Sequence, residues 1–295
     1  MFKDLFYGII NGFALGTVDV PRLNYGVISL IPKVKGADTI KQYRPITLIN
    51  VPFKICSKAY ATRLAPVAQR DLNHSQSGFL KGRNILEGLV VLQEIVHELK
   101  RTRQPAVLLK LDFEKAYDRV NWEFIREVLT RKGFESGFVH RIMHLVSGGQ
   151  TAVSINGEVG NFFRNKRGLR QGDPLSPYLF LFVAEALSLL LKDACEKDAL
   201  KEFHVNRQAP GISHPLFADD SLLFFRGSID QALIIKNILS TYEGGTGQLL
   251  SLISVRLNLA KSVVWKIRWP RWSFLILPHN VLRISTLAYR HLRVE

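Results

Sequence analysis

Only two cysteines occur in the 295 residues, Cys56 and Cys195. Two thiols cannot build a disulfide framework or a four-cysteine zinc site, so no disulfide partner is expected. The eight histidines are scattered. His140 and His144 stand four apart but lack the glutamate of an H-E-x-x-H helix, and they read as one helix face rather than a zinc site. Long hydrophobic runs are missing too. Leu5–Val20 is broken by Gly8, Asn11, Gly12 and Gly16, ends at Asp19, and has neither the basic start nor the small-residue cleavage site of a signal peptide. Leu175–Leu191 is the most apolar stretch, but Glu185 interrupts it and it falls short of the ~20 residues a membrane span needs. A buried helix, with no membrane partner, is the expectation. The glycines around Thr246 are not followed by Gly-Lys-Ser/Thr, which excludes a P-loop. The sequence contains no internal repeat and no low-complexity tract.

Acidic residues are the minority charge: 25 Asp and Glu against 40 Lys and Arg leave a net charge of +15. Such an excess calls for a polyanionic partner, nucleic acid or an anionic membrane, and argues against a chain acting alone on a small neutral substrate. Apolar residues at 47% and charged residues at 22% are globular proportions. The basic charge is concentrated. Arg22–Lys110 carries fifteen Lys and Arg against five acids, and the last 35 residues carry seven against one, while the middle is near neutral.

The middle alternates strands and helices. Ala106–Phe113 is a short apolar run that suits a buried strand. Asn121–Lys132 has helical spacing and Gly133 as a stop signal. Thr151–Phe163 alternates around Asn156-Gly157, a strong hairpin signal because both residues tolerate positive φ. Leu175–Ala194 reads as a long apolar helix. Ile212–Phe217 and Leu222–Arg226 flank Ala218-Asp219-Asp220-Ser221 as a second hairpin. Ser228 with Gln231 reads as a capping box opening a helix to about Tyr242. Leu257–Trp265 reads as a last strand. This order predicts an α+β fold, an antiparallel sheet backed by helices.

Two acidic features stand out. Asp112 ends the strand Leu108-Leu109-Lys110-Leu111-Asp112, and Asp219 and Asp220 are adjacent at a hairpin tip. A lone Asp-Asp is ordinary turn chemistry, and a lone Asp at a strand end usually caps or pairs with a lysine. Adjacent carboxylates beside a core repel each other and resist desolvation, unless they are solvated or a cation binds. Three carboxylates from two strands make a hard-oxygen site suited to Mg²⁺. Two such ions ~3.5–4 Å apart activate a hydroxyl nucleophile and stabilise a departing pyrophosphate.

At these residues a family resemblance emerges. Phe217-Ala218-Asp219-Asp220 resembles the [FY]-x-D-D box of reverse transcriptases. Leu111-Asp112-Phe113-Glu114-Lys115-Ala116-Tyr117-Asp118 resembles their first palm motif, and Arg167-Gly168-Leu169-Arg170-Gln171-Gly172-Asp173-Pro174-Leu175-Ser176-Pro177 the second. Leu30-Ile31-Pro32-Lys33 and Tyr43-Arg44-Pro45-Ile46 resemble fingers motifs, with Gln76-Ser77-Gly78-Phe79 and Gly82-Arg83 between. The match is closest to plant LINE-type (non-LTR) retrotransposon reverse transcriptases and covers roughly Leu23 to Trp265.

The resemblance implies right-hand polymerase fingers and palm, with a thumb absent or truncated. It divides the chain into an N-terminal flank (1–22), a fingers-like basic region (23–105), a palm (106–265) and a basic divergent tail (266–295). It implies an RNA-directed DNA polymerase with an RNA template, a DNA primer and dNTPs as partners, acting inside the cell, in the nucleus. Asp112, Asp219 and Asp220, with the backbone carbonyl of Phe113, would hold two Mg²⁺, for which Mn²⁺ can substitute. Tyr117 would be the sugar gate that favours dNTP over rNTP; core packing is its other reading. Gln171 and Gly172 would lie against the nascent base pair, while Asp173 and Pro174 open the following helix. Lys33 and Arg44 would grip the triphosphate, or form a generic phosphate-binding face. Arg83 would contact the template. Lys261, in Leu257-Asn258-Leu259-Ala260-Lys261-Ser262, resembles the fourth palm motif, whose lysine would protonate pyrophosphate. Asp118 and Asp173 read as structural. Pro215 stands where the family has an apolar residue, which marks an edge or a bulge. Leu249–Arg256 reads as an insertion, such as a retained intron. The alternative from another class is an inactive element remnant that only binds RNA or DNA. A maturase-like splicing factor would need an intron-binding domain after the palm, and none is recognisable.

Overall fold

The computed structural model describes residues 2–102, 106–203, 211, 214–255, 265–268 and 273–276. In chain order the elements are α1 (Phe2–Leu15), α2 (Val20–Leu23), β1 (Tyr25–Pro32), a 3-10 turn (Ile40–Gln42), β2 (Tyr43–Ile49), α3 (Val51–Asp71), α4 (Ile85–Thr102), β3 (Ala106–Phe113), α5 (Trp122–Arg131), α6 (Ser136–Ser147), β4 (Gln150–Ile155), β5 (Glu158–Val159), β6 (Phe163–Arg164), α7 (Ser176–Glu196), β7 (Leu216–Phe217), β8 (Asp220–Arg226), α8 (Ile229–Thr246), β9 (Leu250–Val255), β10 (Trp265–Arg268) and β11 (Ser273–Ile276). Two compact units are each built from two stretches: residues 1–72 with 115–183, and 73–114 with 184–295.

The first unit is organised on a sheet of order β2-β1-β4-β5, with β6 also paired to β4. β1 runs antiparallel to β2 but parallel to β4, so this sheet is mixed. Asn156 (φ 53°) and Gly157 (φ 88°) make the tight β4–β5 turn, as the Asn-Gly pair predicts. Asn50 caps α3 by accepting from the Phe53 N–H, with Pro52 in the first turn where a missing N–H costs nothing. Asn121 caps α5 by accepting from the Glu123 N–H. The core includes Phe53, Leu64, Ile125, Leu129, Ile142 and Phe180, all at most 2% exposed. Each such side chain contributes roughly 1.5–3 kcal/mol by leaving water.

The second unit holds the all-antiparallel sheet β7-β8-β3-β9. On β3, Leu109, Leu111 and Phe113 are buried on one face, where Phe113 meets the Tyr242 ring of α8 edge-on. The opposite face changes character along the strand. Leu108 is buried in a cluster with Ile95, Leu99, Phe203 and Phe224. Lys110 is half-buried and Asp112 is exposed. Ser228 accepts from the Gln231 N–H, but the Gln231 side chain does not return the bond expected of a capping box; it spans the Lys201 N–H and the Ala199 carbonyl.

Three readings of the sequence meet the fold differently. Leu249–Arg256, read as an insertion, supplies β9, which pairs with β3 over its whole length. Pro215 immediately precedes edge strand β7, so its missing N–H removes no bond within that strand. The predicted strand Leu257–Trp265, apart from Trp265, and most of the basic tail lie outside the described residues. α7 matches the predicted apolar helix, and no helix among the described residues is long and apolar enough to cross a membrane.

Candidate active site

The three aspartates sit at one end of the second unit's sheet. β3 and β8 pair with Leu108 opposite Phe224, Lys110 opposite Leu222 and Leu111 opposite Ser221. Because side chains alternate, the face carrying Lys110 and Asp112 also carries Leu222 and Asp220. Asp219 shares the two-residue connection Ala218-Asp219 between β7 and β8. Hydrophobic strands place all three acids, since Leu109, Leu111, Leu223 and Phe225 anchor β3 and β8 in the core.

The electrostatics follow from that placement. Lys110 Nζ lies 3.0 Å from Asp220 Oδ1. Ser251, opposite Asp112 in the β3–β9 register, has its Oγ 3.4 Å from both the carbonyl and Oδ2 of Asp112. The Asp219 carboxyl is held above its ordinary value, first by partial desolvation, then by the neighbouring Asp220 and Asp112 charges; its own N–H and Lys110 oppose the rise. Such crowding is a local excess of negative charge that a cation would relieve. The donor set is all carboxylate oxygen, with no thiolate or imidazole, which suits Mg²⁺. Among the described residues no three acids, histidines or cysteines stand arranged to hold a metal together. Asp220 is instead engaged by Lys110.

Phe113 directly follows Asp112 on β3 and is buried in the second unit. Lys261 lies outside the described residues. Arg83 donates through Nη1 to the carbonyls of Asn73 and Gln76, at 2.6 and 2.7 Å. Lys33, Arg44, Tyr117, Gln171 and Gly172 belong to the first unit. Lys33 and Arg44 are exposed on the β1–β2 hairpin, with Arg44 opposite Ile31 and the Lys33 N–H bonded to the Gln42 carbonyl. Tyr117 stacks on Phe180 with centroids 5.0 Å apart. The Gln171 carbonyl accepts from the Thr47 N–H at 2.7 Å. Gln171 also lines a cavity of about 190 Å³ with Thr151, Arg167 and Arg170. Gly172 has φ +110°, and a Cβ there would lie 2.7 Å from the Thr47 carbonyl oxygen, so only glycine fits. Asp173 is buried, accepts from the Leu175 N–H and bonds the Ser57 hydroxyl. Burial raises its pKa, against those bonds and the charges of Arg170 and Lys54. This is a structural carboxylate at the start of α7.

Sequence reasoning missed Lys110 and Ser251. Lys110 stands two residues before Asp112, and strand alternation is the signal that puts it on the acidic face. Nothing local marks Ser251.

Comparison with known proteins agrees with this geometry. Residues 31–270 match the family described as "Reverse transcriptase (RNA-dependent DNA polymerase)". The chain is 30% identical over 204 residues to the Transposon TX1 uncharacterized 149 kDa protein of Xenopus laevis, covering 69% of this chain and 15% of that protein. It is 26% identical over 231 residues to the Retrovirus-related Pol polyprotein from type-2 retrotransposable element R2DM of Drosophila melanogaster, covering 78% of this chain and 20% of that protein. The chain therefore spans only a small fraction of the length of these relatives. Among solved structures, apo telomerase from Candida tropicalis superposes with a TM-score of 0.54 at 14% identity, over 97% of this chain and 53% of that one. The fold is that of polymerase fingers and palm, and the chain belongs to the reverse transcriptase (RNA-dependent DNA polymerase) family.

Proposed function

We propose that this chain is the RNA-directed DNA polymerase domain of a plant non-LTR retrotransposon, extending a DNA primer on an RNA template with dNTPs. The observation that carries the reading is the placing of Asp112 and Asp220 on one face of paired strands β3 and β8, with Asp219 in the adjoining turn and its carboxyl pushed up by partial desolvation and then by its acidic neighbours. The match to transposon proteins supports the non-LTR assignment. The plant source rests on the motif resemblance.

In the reaction the primer 3′-oxygen attacks the α-phosphorus of the dNTP, the bond to the pyrophosphate oxygen breaks, and one nucleotide is added. The protein contributes position and charge rather than covalent chemistry. Asp112, Asp219 and Asp220, with the Phe113 carbonyl, would hold two Mg²⁺, which when bound supply Lewis-acid activation of the hydroxyl and neutralise the leaving pyrophosphate. Lys110 holds Asp220 in the meantime and limits the repulsion among the acids. Lys33 and Arg44 grip the triphosphate as solvent-facing cations, Tyr117 excludes the ribose 2′-hydroxyl, and Gln171 and Gly172 lie along the nascent pair. Arg83 borders the template path, and Lys261 delivers a proton to pyrophosphate. The basic region Arg22–Lys110 supplies the electrostatic attraction for nucleic acid. A primer taken from genomic DNA would place this reaction in the nucleus. Primer extension with dNTPs and Mg²⁺ tests the reading. The parent extends an RNA-templated primer and the double variant Asp219→Asn/Asp220→Asn does not. Equal extension by both removes the assignment, and salt-sensitive binding without extension by the parent identifies an inactive remnant.

A further inference from the structure

The turn that carries Asp219 is poorly supported by its own hairpin. β7 has only two residues, and Ala218 stands at φ +53°, a left-handed conformation that an alanine adopts only when its surroundings impose it. The support comes from the segment Asn73–Arg83, far away in sequence but within the same unit. The Leu216 N–H donates to the Ser75 carbonyl at 2.7 Å, and the Ser77 N–H to the Leu216 carbonyl at 2.9 Å, so this segment lies along the outer edge of β7 as a parallel partner. The Gln76 side chain, 1% exposed, then reaches past the strand. Its Oε1 accepts two backbone N–H groups, from Gly78 and from Ala218, each at 2.8 Å.

Two further contacts fix the segment. A Cβ on Gly78 would lie 2.5 Å from the Ala218 nitrogen, so the loop backbone sits directly on the turn. Behind it, Arg83 Nη1 donates to the Asn73 and Gln76 carbonyls, and the Asn73 N–H donates to the buried Glu185 carboxylate of α7 at 3.1 Å. The loop is thus closed on itself and tied to a core helix. Among the described residues Gln76 Nε2 is buried with no hydrogen-bond partner. The acceptor half of the amide therefore holds the turn.

We infer that Gln76 is a positioning residue for the polymerase centre: by accepting the Ala218 N–H it locks the strained turn that aims Asp219. This rests on the polymerase reading for its catalytic consequence, but the lock itself is a physical claim about the fold. Without the acceptor, the peptide bond preceding Ala218 is free to rotate away from the strained conformation, and the carboxylate that follows it loses its fixed direction. The same argument gives Gly78 its role, since any side chain there pushes against the turn.

The test is amide hydrogen exchange on the full chain, in the parent, Gln76→Met and Gln76→Glu. Methionine keeps the volume and loses the acceptor; glutamate keeps the acceptor. The Ala218 amide exchanges about 10- to 100-fold faster in Gln76→Met and at the parent rate in Gln76→Glu, while amides in the β3–β8 ladder keep their protection in both. Parent-like protection of Ala218 in Gln76→Met overturns the inference, as does its loss in Gln76→Glu. If Gln76→Met loses protection throughout the sheet, Gln76→Glu alone decides by the same criterion. In primer extension, Gln76→Met lowers kcat by at least about tenfold, with KM for dNTP and affinity for primer–template within twofold of the parent. A matched loss of binding instead marks a general structural role and overturns the positioning claim. A parent that extends no primer refutes the polymerase reading and with it the catalytic consequence, while the exchange data still judge the lock.

Discussion

Replacing Asp219 by asparagine should separate stability from function, in opposite directions. The Asp219 carboxyl is partly desolvated and repelled by Asp220 and Asp112, with Lys110 as the opposing attraction. Two repulsions against one attraction leave about one uncompensated like-charge contact. At an exposed turn such a contact is screened to about 0.5–1 kcal/mol. Asparagine removes the charge but keeps a carbonyl oxygen for the bond from its own N–H. In EDTA at pH 7.5, Asp219→Asn should therefore melt about 1–3 °C above the parent. The pH dependence has a definite sign. The folded-state pKa lies above the ordinary value of 3.8, so the folded parent binds protons more readily than the unfolded chain. Parent stability therefore falls as pH rises from about 3.8 through the folded-state value and is flat above it. The advantage of the variant is full at pH 7.5 and shrinks as pH is lowered toward 4. Mg²⁺ inverts the order. A tenfold excess over its dissociation constant stabilises the parent by about 1.4 kcal/mol and the variant by less. Differential scanning calorimetry with and without Mg²⁺ reads all of this. A variant that melts below the parent in EDTA at pH 7.5, or gains equally at every pH, refutes the crowding argument.

Other perturbations follow the same logic. Lys110→Met removes the cation that competes for Asp220, a pair worth no more than about 1 kcal/mol at these exposures, so the Mg²⁺ concentration giving half-maximal extension should fall about two- to fivefold; an unchanged or higher requirement contradicts the geometry. Gly172→Ala drives a Cβ to 2.7 Å from the Thr47 carbonyl at φ +110° and should cost about 1–3 kcal/mol in urea denaturation, with a neutral result showing that the close approach is not fixed. Tyr117→Ala breaks the stack on Phe180, costing about 1–3 kcal/mol, and should raise rNTP relative to dNTP incorporation about tenfold or more; stability loss without a change in selectivity would leave Tyr117 as core packing only.

Where pattern and burial agree locally, the sequence was legible. β3 occupies the residues of its apolar run, Asn156-Gly157 makes the tight turn, and Asn121 starts α5 as a cap. The acidic hairpin was visible because two hydrophobic strands bracket it. Long-range pairing was not visible. β1 lies parallel to β4 more than a hundred residues away, and no local period encodes that. Leu250–Val255 looked like an insertion because motif spacing was the guide, yet its apolar character gives β3 a second antiparallel neighbour. Gln231 kept the cap N–H but sent its side chain to Lys201 and Ala199, where tertiary partners outcompete the local box. At the site, residue types were readable and their partners were not. The Gln76–Ala218 bond spans 142 positions, and Lys110 declares itself only once β3 and β8 are in register.

Asp112 and Asp219, with Asp220 beside them, are proposed to form one cation-binding centre. Manganese titration followed by electron paramagnetic resonance, on the parent and on Asp112→Asn and Asp219→Asn, tests it most directly. The parent should bind Mn²⁺, and each single variant should lose it or bind it markedly more weakly. Equal Mn²⁺ binding in all three proteins would contradict the proposal.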